Sequence, residues 1–200
     1  MRSKRSRLLL PVVLVGLAAA LGTAAGAGTL GPLEAARQEA AAKARAARLA
    51  AARESRILIE DIKGRRNETW RWQFVMGKPR TPYAGHAEQS ASLPYQRWVL
   101  NQWTKRAEKA QKTARRPPHY DQWICIHGYE GAWNDPNAPY YGGLQMDVSF
   151  QRTYGSHLLR AKGTADNWTP LEQMWVAEKA HASGRGFYPW PNTARFCGLI

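Results

Sequence analysis

The sequence predicts a mainly α-helical protein, and three observations carry that prediction. Residues 34–55 are dominated by Ala, Arg and Glu, and alanine is the best helix former. Between residues 95 and 116, Trp98, Val99, Trp103, Ala107 and Ala110 fall near one helical face. Thr169-Pro170-Leu171-Glu172 combines a Thr cap, Pro at the first helical position and Glu three residues after the cap, a strong helix start.

In chain order, the N-terminus reads as an export signal. Arg2, Lys4, Arg5 and Arg7 precede an apolar stretch from Leu8 to Leu21, and Ala25-Gly26-Ala27 offers a small-x-small cleavage site. A retained anchor is the alternative, because no charge appears between Leu8 and Leu33. Either reading puts residues 1–27 apart from the rest and the remainder outside the cytoplasm, secreted or in the cell envelope.

The charge is unevenly placed. Residues 1–116 contain 23 Lys+Arg and 8 Asp+Glu, a balance of +15, whereas residues 117–200 contain 6 and 7, a balance of −1. The split argues against specific nucleic-acid binding by the C-terminal half, despite the chain's net +14. Residues 28–116 read as a basic helical spacer followed by an aromatic–basic region. The apolar face of residues 34–55 is mostly alanine and buries little. Ile57, Leu58, Ile59 and Ile62 make a short apolar patch, and Trp70, Trp72, Phe74, Val75 and Met76 an aromatic one. Residues 77–94, which include Pro79, Pro82, Gly85 and Pro94, read as loop before a helix over 95–116. Weak attraction to anionic wall polymer or lipid headgroups suits such a surface better than sequence-specific nucleic-acid recognition.

Pro117-Pro118 marks a boundary, and residues 117–200 read as a domain. A helix is expected over 121–130, ended by Gly131. Residues 134–139 are loop and 140–148 turn or short strand. Further helices are expected over 151–162 and from Thr169 to about Ser183, where Gly184 stops the last. Gly186-Phe-Tyr-Pro-Trp-Pro191 is a rigid aromatic tail. A domain this small needs a staple. Cys125 and Cys197, an even pair in an exported chain, supply one as a disulfide, with two buried thiols as the alternative. Closing that loop contributes on the order of 3–4 kcal/mol.

The segment Trp123-Ile-Cys-Ile-His-Gly-Tyr-Glu-Gly-Ala-Trp133, followed by Tyr140-Tyr-Gly-Gly-Leu-Gln-Met146, carries the chemistry. It places one acid, Glu130, at a helix end among aromatics. A carboxylic acid in apolar, aromatic surroundings can stay protonated near neutral pH and donate a proton, as glycosidic-bond cleavage requires.

On these residues, 119–198 resemble the transglycosylase-like domain of bacterial resuscitation-promoting factors, a compact member of the lysozyme superfamily. The likeness rests on the Trp-led helix ending in Glu130, on Tyr140-Tyr-Gly-Gly-Leu-Gln145, and on Glu172-Gln-Met-Trp-Val-Ala-Glu178 with the later Trp190-Pro191 and Cys197. The Tyr-Tyr-Gly-Gly-Leu-Gln string is the most specific of the three. Where the family has Cys-Glu-Ser-Gly-Gly, this chain has Tyr129-Glu-Gly-Ala-Trp133, with a shorter interval to the Gly-Gly pair. The helix register from Trp123 and Ile126 assigns the family's acid to Glu130, and an ungapped alignment would assign it to His127.

The resemblance implies a small lysozyme-like domain cutting the β-1,4 bond between N-acetylmuramic acid and N-acetylglucosamine in peptidoglycan. It is either a lytic transglycosylase or a lysozyme-type hydrolase; a non-catalytic glycan-binding module is the alternative. Glu130 is the expected acid and base. Gln145 is the expected sugar-binding amide, able to donate and accept. Gly142 and Gly143 allow close backbone approach, and Tyr140, Tyr141 and Trp133 offer stacking faces. Asp135 and Asp147 are candidate second carboxylates, with turn capping the stronger reading of Asp135. Trp175 and Met174 read as core, and Glu178 as a solvated helix face. His86, His119, His127, His157 and His181 show no metal-ligand spacing, so neither a metal nor a cofactor is expected.

Overall fold

An alanine-rich stretch opens the longest helix among the described residues. In the computed structural model, which describes residues 31–200, α1 runs Pro32–Val75. The chain divides into two units, Met1–Arg45 and Ala46–Ile200. The described part of the first is solvent-exposed helix, carrying one exposed i,i+4 pair between Glu39 and Lys43. The expected signal or anchor, residues 1–27, lies outside the described residues. Among those described, no helix is long and apolar enough to cross a membrane.

In the second unit, α1 continues through the patches expected at 57–76. Ile62 is fully buried with Ala87, Val99 and Trp103. Its partners come from α2 (His86–Gln89), a short helix within the segment expected to be loop, and α3 (Leu93–Arg115). The buried positions of α3, namely Gln96, Val99, Trp103, Ala107, Ala110 and Ala114, step by three or four residues, as one helical face requires. Gln96 fastens α3 to its neighbours, donating from Nε2 to Ser90 O at 2.8 Å and Ser55 Oγ at 2.9 Å. The basic side chains of this region stack on its aromatics: Arg66 lies over Trp70 and Tyr83, and Arg80 over Trp70.

The boundary expected at residue 117 falls inside this unit. Trp175 packs with Met76, Ala110 and Ala114 and donates to Ala114 O at 2.8 Å. His157 donates from Nε2 to Phe74 O at 3.0 Å. Gly77, at φ +59°, allows Lys179 to pass; a Cβ there would meet its Nζ at 2.0 Å. Residues 57–116 therefore pack on the C-terminal helices as part of one body.

The larger core gathers Trp123 and Ile126 of α4 (Tyr120–Glu130), Leu144, Met146, Phe150, Leu158, Trp168, Met174, Val176 and Trp190. A two-stranded hairpin, β1 (Tyr140–Tyr141) and β2 (Met146–Asp147), pairs Tyr140 with Asp147 and Tyr141 with Met146. The single helix expected over 151–162 is two, α5 (Val148–Tyr154) and α6 (Ser156–Lys162). Gly155 separates them, where a Cβ would press within 2.6 Å of the buried Trp168 ring. Helix α7 (Pro170–Ala180) starts with the expected capping box: Thr169 and Glu172 each bond the other's backbone N–H. It passes into a π-type turn, His181–Arg185, in which Gly184 has φ +93°. Helix α8 (Pro191–Phe196) leads to Cys197, which is bonded to Cys125 of α4 with Cα atoms 6.1 Å apart.

Candidate active site

Glu130 is the last residue of α4 and is half-buried. Its Oε1 accepts a hydrogen bond from Thr193 Oγ1 at 2.7 Å. Thr193 sits on α8, and the disulfide fastens the end of α8 to α4. The hydroxyl has one proton and a second acceptor, Trp190 O at 3.3 Å. It can donate to a Glu130 carboxylate, or turn to Trp190 and accept from a Glu130 carboxylic acid. One partner thus serves both protonation states.

Gly131 brings the chain from Glu130 directly against Gln145. A Cβ at Gly131 would lie 3.1 Å from Gln145 Nε2 and 3.4 Å from Asp135 Oδ2. Gln145 takes φ +45° at the end of the hairpin turn. Its Nε2 donates to Asp135 Oδ2 at 2.8 Å and to Gly142 O at 3.0 Å. Both amide protons are thereby committed, and among the described residues no donor engages its Oε1. The expected donor-and-acceptor amide is therefore a fixed acceptor, suited to a sugar hydroxyl or acetamido N–H.

Asp135 caps a turn, as its stronger sequence reading held: Oδ1 accepts from Asn137 N at 3.1 Å. The Asn137 backbone N–H, followed by the Gln145 amide, holds its carboxyl below the usual carboxylate range. Asp147 is the N-cap of α5, accepting from Phe150 N at 2.7 Å. Both candidate second carboxylates hold backbone.

The Gly-Gly pair admits protein side chains. At Gly142, φ +73°, a Cβ would meet Gln173 Oε1 at 2.6 Å. At Gly143 it would meet His127 Nδ1 at 2.6 Å and Trp133 Cε3 at 2.7 Å. His127 stacks on Trp133 with centroids 3.9 Å apart and donates from Nδ1 to Gly143 O at 3.1 Å. Gln173 donates to Trp133 O at 2.7 Å and Ala165 O at 2.9 Å. Trp133 and Tyr141 are partly buried against the core.

A cleft of about 420 Å³ is lined by Tyr140, Gln145, Asp147, Phe150, Tyr154 and Trp190, among others. Of the expected binding residues it contains Gln145 and the half-exposed Tyr140. Glu130 does not line it; the adjoining Gly131 lies against Gln145, and Thr193, which donates to Glu130, also approaches the carbonyl of Trp190.

Two features escaped the sequence reading. Tyr129 and Phe196 are 60% and 71% exposed and face each other at 5.5 Å beside the disulfide. Glu178, read as part of a solvated face, is only 6% exposed. It accepts from His119 N at 2.7 Å, Trp123 Nε1 at 2.8 Å and His119 Nδ1 at 3.0 Å. The indole N–H of buried Trp123 is the physical signal, since it needs an acceptor inside the core. Met174 and Trp175 are core, as expected.

Compared with known protein families, curated proteins and solved structures, the chain matches none.

Proposed function

We propose that the C-terminal part of this chain is a lysozyme-like domain that cleaves peptidoglycan between N-acetylmuramic acid and N-acetylglucosamine, with Glu130 as acid and then base. The observation that carries this reading is the single hydroxyl partner of Glu130, compatible with the acid and with the carboxylate. Glu130, protonated, gives its proton to the glycosidic oxygen as the bond to muramic acid C1 breaks. The substrate's own N-acetyl oxygen stabilises the positive charge at C1. The Glu130 carboxylate then removes the proton of the muramic acid 6-hydroxyl, whose oxygen bonds C1 to give an anhydro-sugar. The commitment of Asp135 and Asp147 to backbone caps favours this route over one needing a second carboxylate. Gln145 Oε1 and Tyr140 hold the glycan.

The chain acts outside the cytoplasm in this reading, exported by residues 1–27. The cation-rich residues of the 28–116 region bring it to anionic wall polymer or membrane surface. One observation favours a second reading, a glycan-binding module without activity: the cleft is not lined by Glu130.

Mass spectrometry of purified peptidoglycan incubated with the chain or with Glu130→Gln separates these. Anhydromuropeptides from the wild type alone are the expected result. Reducing-end products would make it a hydrolase. Retained wall binding with no products from either protein would leave the binding module.

A further inference from the structure

We propose that His119, Glu178 and His181 form a binding site for a divalent transition metal of the zinc class. One ligand atom from each lies within 4.8 Å of the others. The three come from the N-cap of α4, the last turn of α7 and the first residue of the π-type turn. Two imidazoles and one carboxylate suit zinc, nickel or copper, whereas magnesium and calcium call for oxygen alone.

The geometry is part-way to a coordination shell. His119 Nδ1 and Glu178 Oε2 are 3.0 Å apart. Ligands about 2.0–2.1 Å from a tetrahedral zinc are separated by about 3.3 Å, so this pair needs to open only slightly. Glu178 and His181 stand three residues apart on one continuous helical path, a spacing that places a carboxylate and an imidazole on the same face. The His181 ring lies 4.0 Å from that of His119 and makes no hydrogen bond among the described residues, so its nitrogens remain available to a metal.

The surroundings supply what a metal ligand needs behind it. Glu178 Oε1 is held by the indole N–H of Trp123 and the backbone N–H of His119, leaving Oε2 to face the two rings. Phe187 packs on both imidazoles, at 5.5 Å and 4.7 Å. Both histidines are half-buried, so an ion can reach them from solvent. A bound ion would clasp the N-terminal end of α4 to α7, at the opposite end of the helix from Glu130 and independently of its chemistry.

The test is titration of the chelator-treated full chain with zinc chloride, followed calorimetrically, and with cobalt(II), followed by visible absorption. One zinc per chain is expected, with affinity reduced at least tenfold in His181→Ala and unchanged in His86→Ala. Wild-type protein should give cobalt(II) the intense absorption of a four- or five-coordinate ion. A hexaaquo-like cobalt spectrum would overturn the proposal whatever the variants do. So would zinc affinity unchanged in His181→Ala, or reduced equally in His86→Ala.

Discussion

Helix α4 meets a different carboxylate at each end. At its C-terminal end, Glu130 is half-buried and accepts one hydroxyl, and among the described residues no donor engages its Oε2. At its N-terminal end, Glu178 reaches in from α7, is buried, and accepts two backbone or indole N–H groups and an imidazole. The difference lies in the donors. A carboxylate surrounded by donors ties helices together, whereas one with a single adaptable partner leaves an oxygen unengaged, as the proposed acid requires. Residue type and helical location are the same in kind, and the neighbours decide the role.

The largest effect that would sharpen the contrast is on cleavage. Glu130→Gln should lower peptidoglycan turnover at least ~100-fold, as for loss of a general acid. Stability should change by about 1 kcal/mol or less, because the amide oxygen can still accept from Thr193. Glu178→Ala should do the reverse. It strips acceptors from one buried and one partly buried N–H group, the buried one costing about 1–3 kcal/mol, so urea unfolding should show a loss of about 2–4 kcal/mol. An unfolded Glu130→Gln beside an undisturbed Glu178→Ala would abolish the distinction.

Gly143→Ala should cost about 1–3 kcal/mol in the same unfolding measurement, because its Cβ must displace the stacked His127 and Trp133 rings. Thr193→Val should reduce turnover by about tenfold with little change in glycan affinity, the share of one hydrogen bond to a charged group. Equal loss of affinity and turnover would make Thr193 part of the glycan contact.

The smallest effect is on pH dependence. Burial lowers the pKa of His157, and Lys179 beside it lowers it further; burial, then His119, does the same to His181. Each binds fewer protons folded than unfolded. Their stabilising contribution is complete above about pH 6.5 and falls away as pH drops through the lowered folded value. Calorimetric melting between pH 7.5 and 5 should show a falling Tm, with a shallower fall in His157→Gln. The Asp135 carboxyl, lowered below the usual range, titrates beneath that window.

Local signals made some of this legible in the sequence. The capping box at Thr169, the alanine-rich helix and the cysteine pair are written in adjacent residues or in composition, and each forms as expected. The continuation of α1 to Val75 was not legible. Its isoleucines and aromatics favour no helix by themselves, and burial of Ile62 against Val99 and Trp103 decides the matter. The candidate site divides in the same way. The Tyr-Tyr-Gly-Gly-Leu-Gln string pointed to Gln145, but the bond that fixes its amide on Asp135 depends on a turn. The glycines suggested space without saying that Gln173, His127 and Trp133 fill it. The meeting of His119 with Glu178 and His181 depends on how α4 docks against α7, which no local spacing records.

The disulfide has a consequence for when the chain can work. Glu130 finds its hydroxyl on α8, and the end of α8 is bonded to α4 through Cys197 and Cys125. In a thiol-reducing compartment that tether opens, and Thr193 is no longer held beside the acid by a covalent link. On the proposed route through the membrane, the active arrangement would be completed by oxidation after crossing. Timing would then be built into the covalent structure: a wall-cutting activity matured by the compartment that holds the wall.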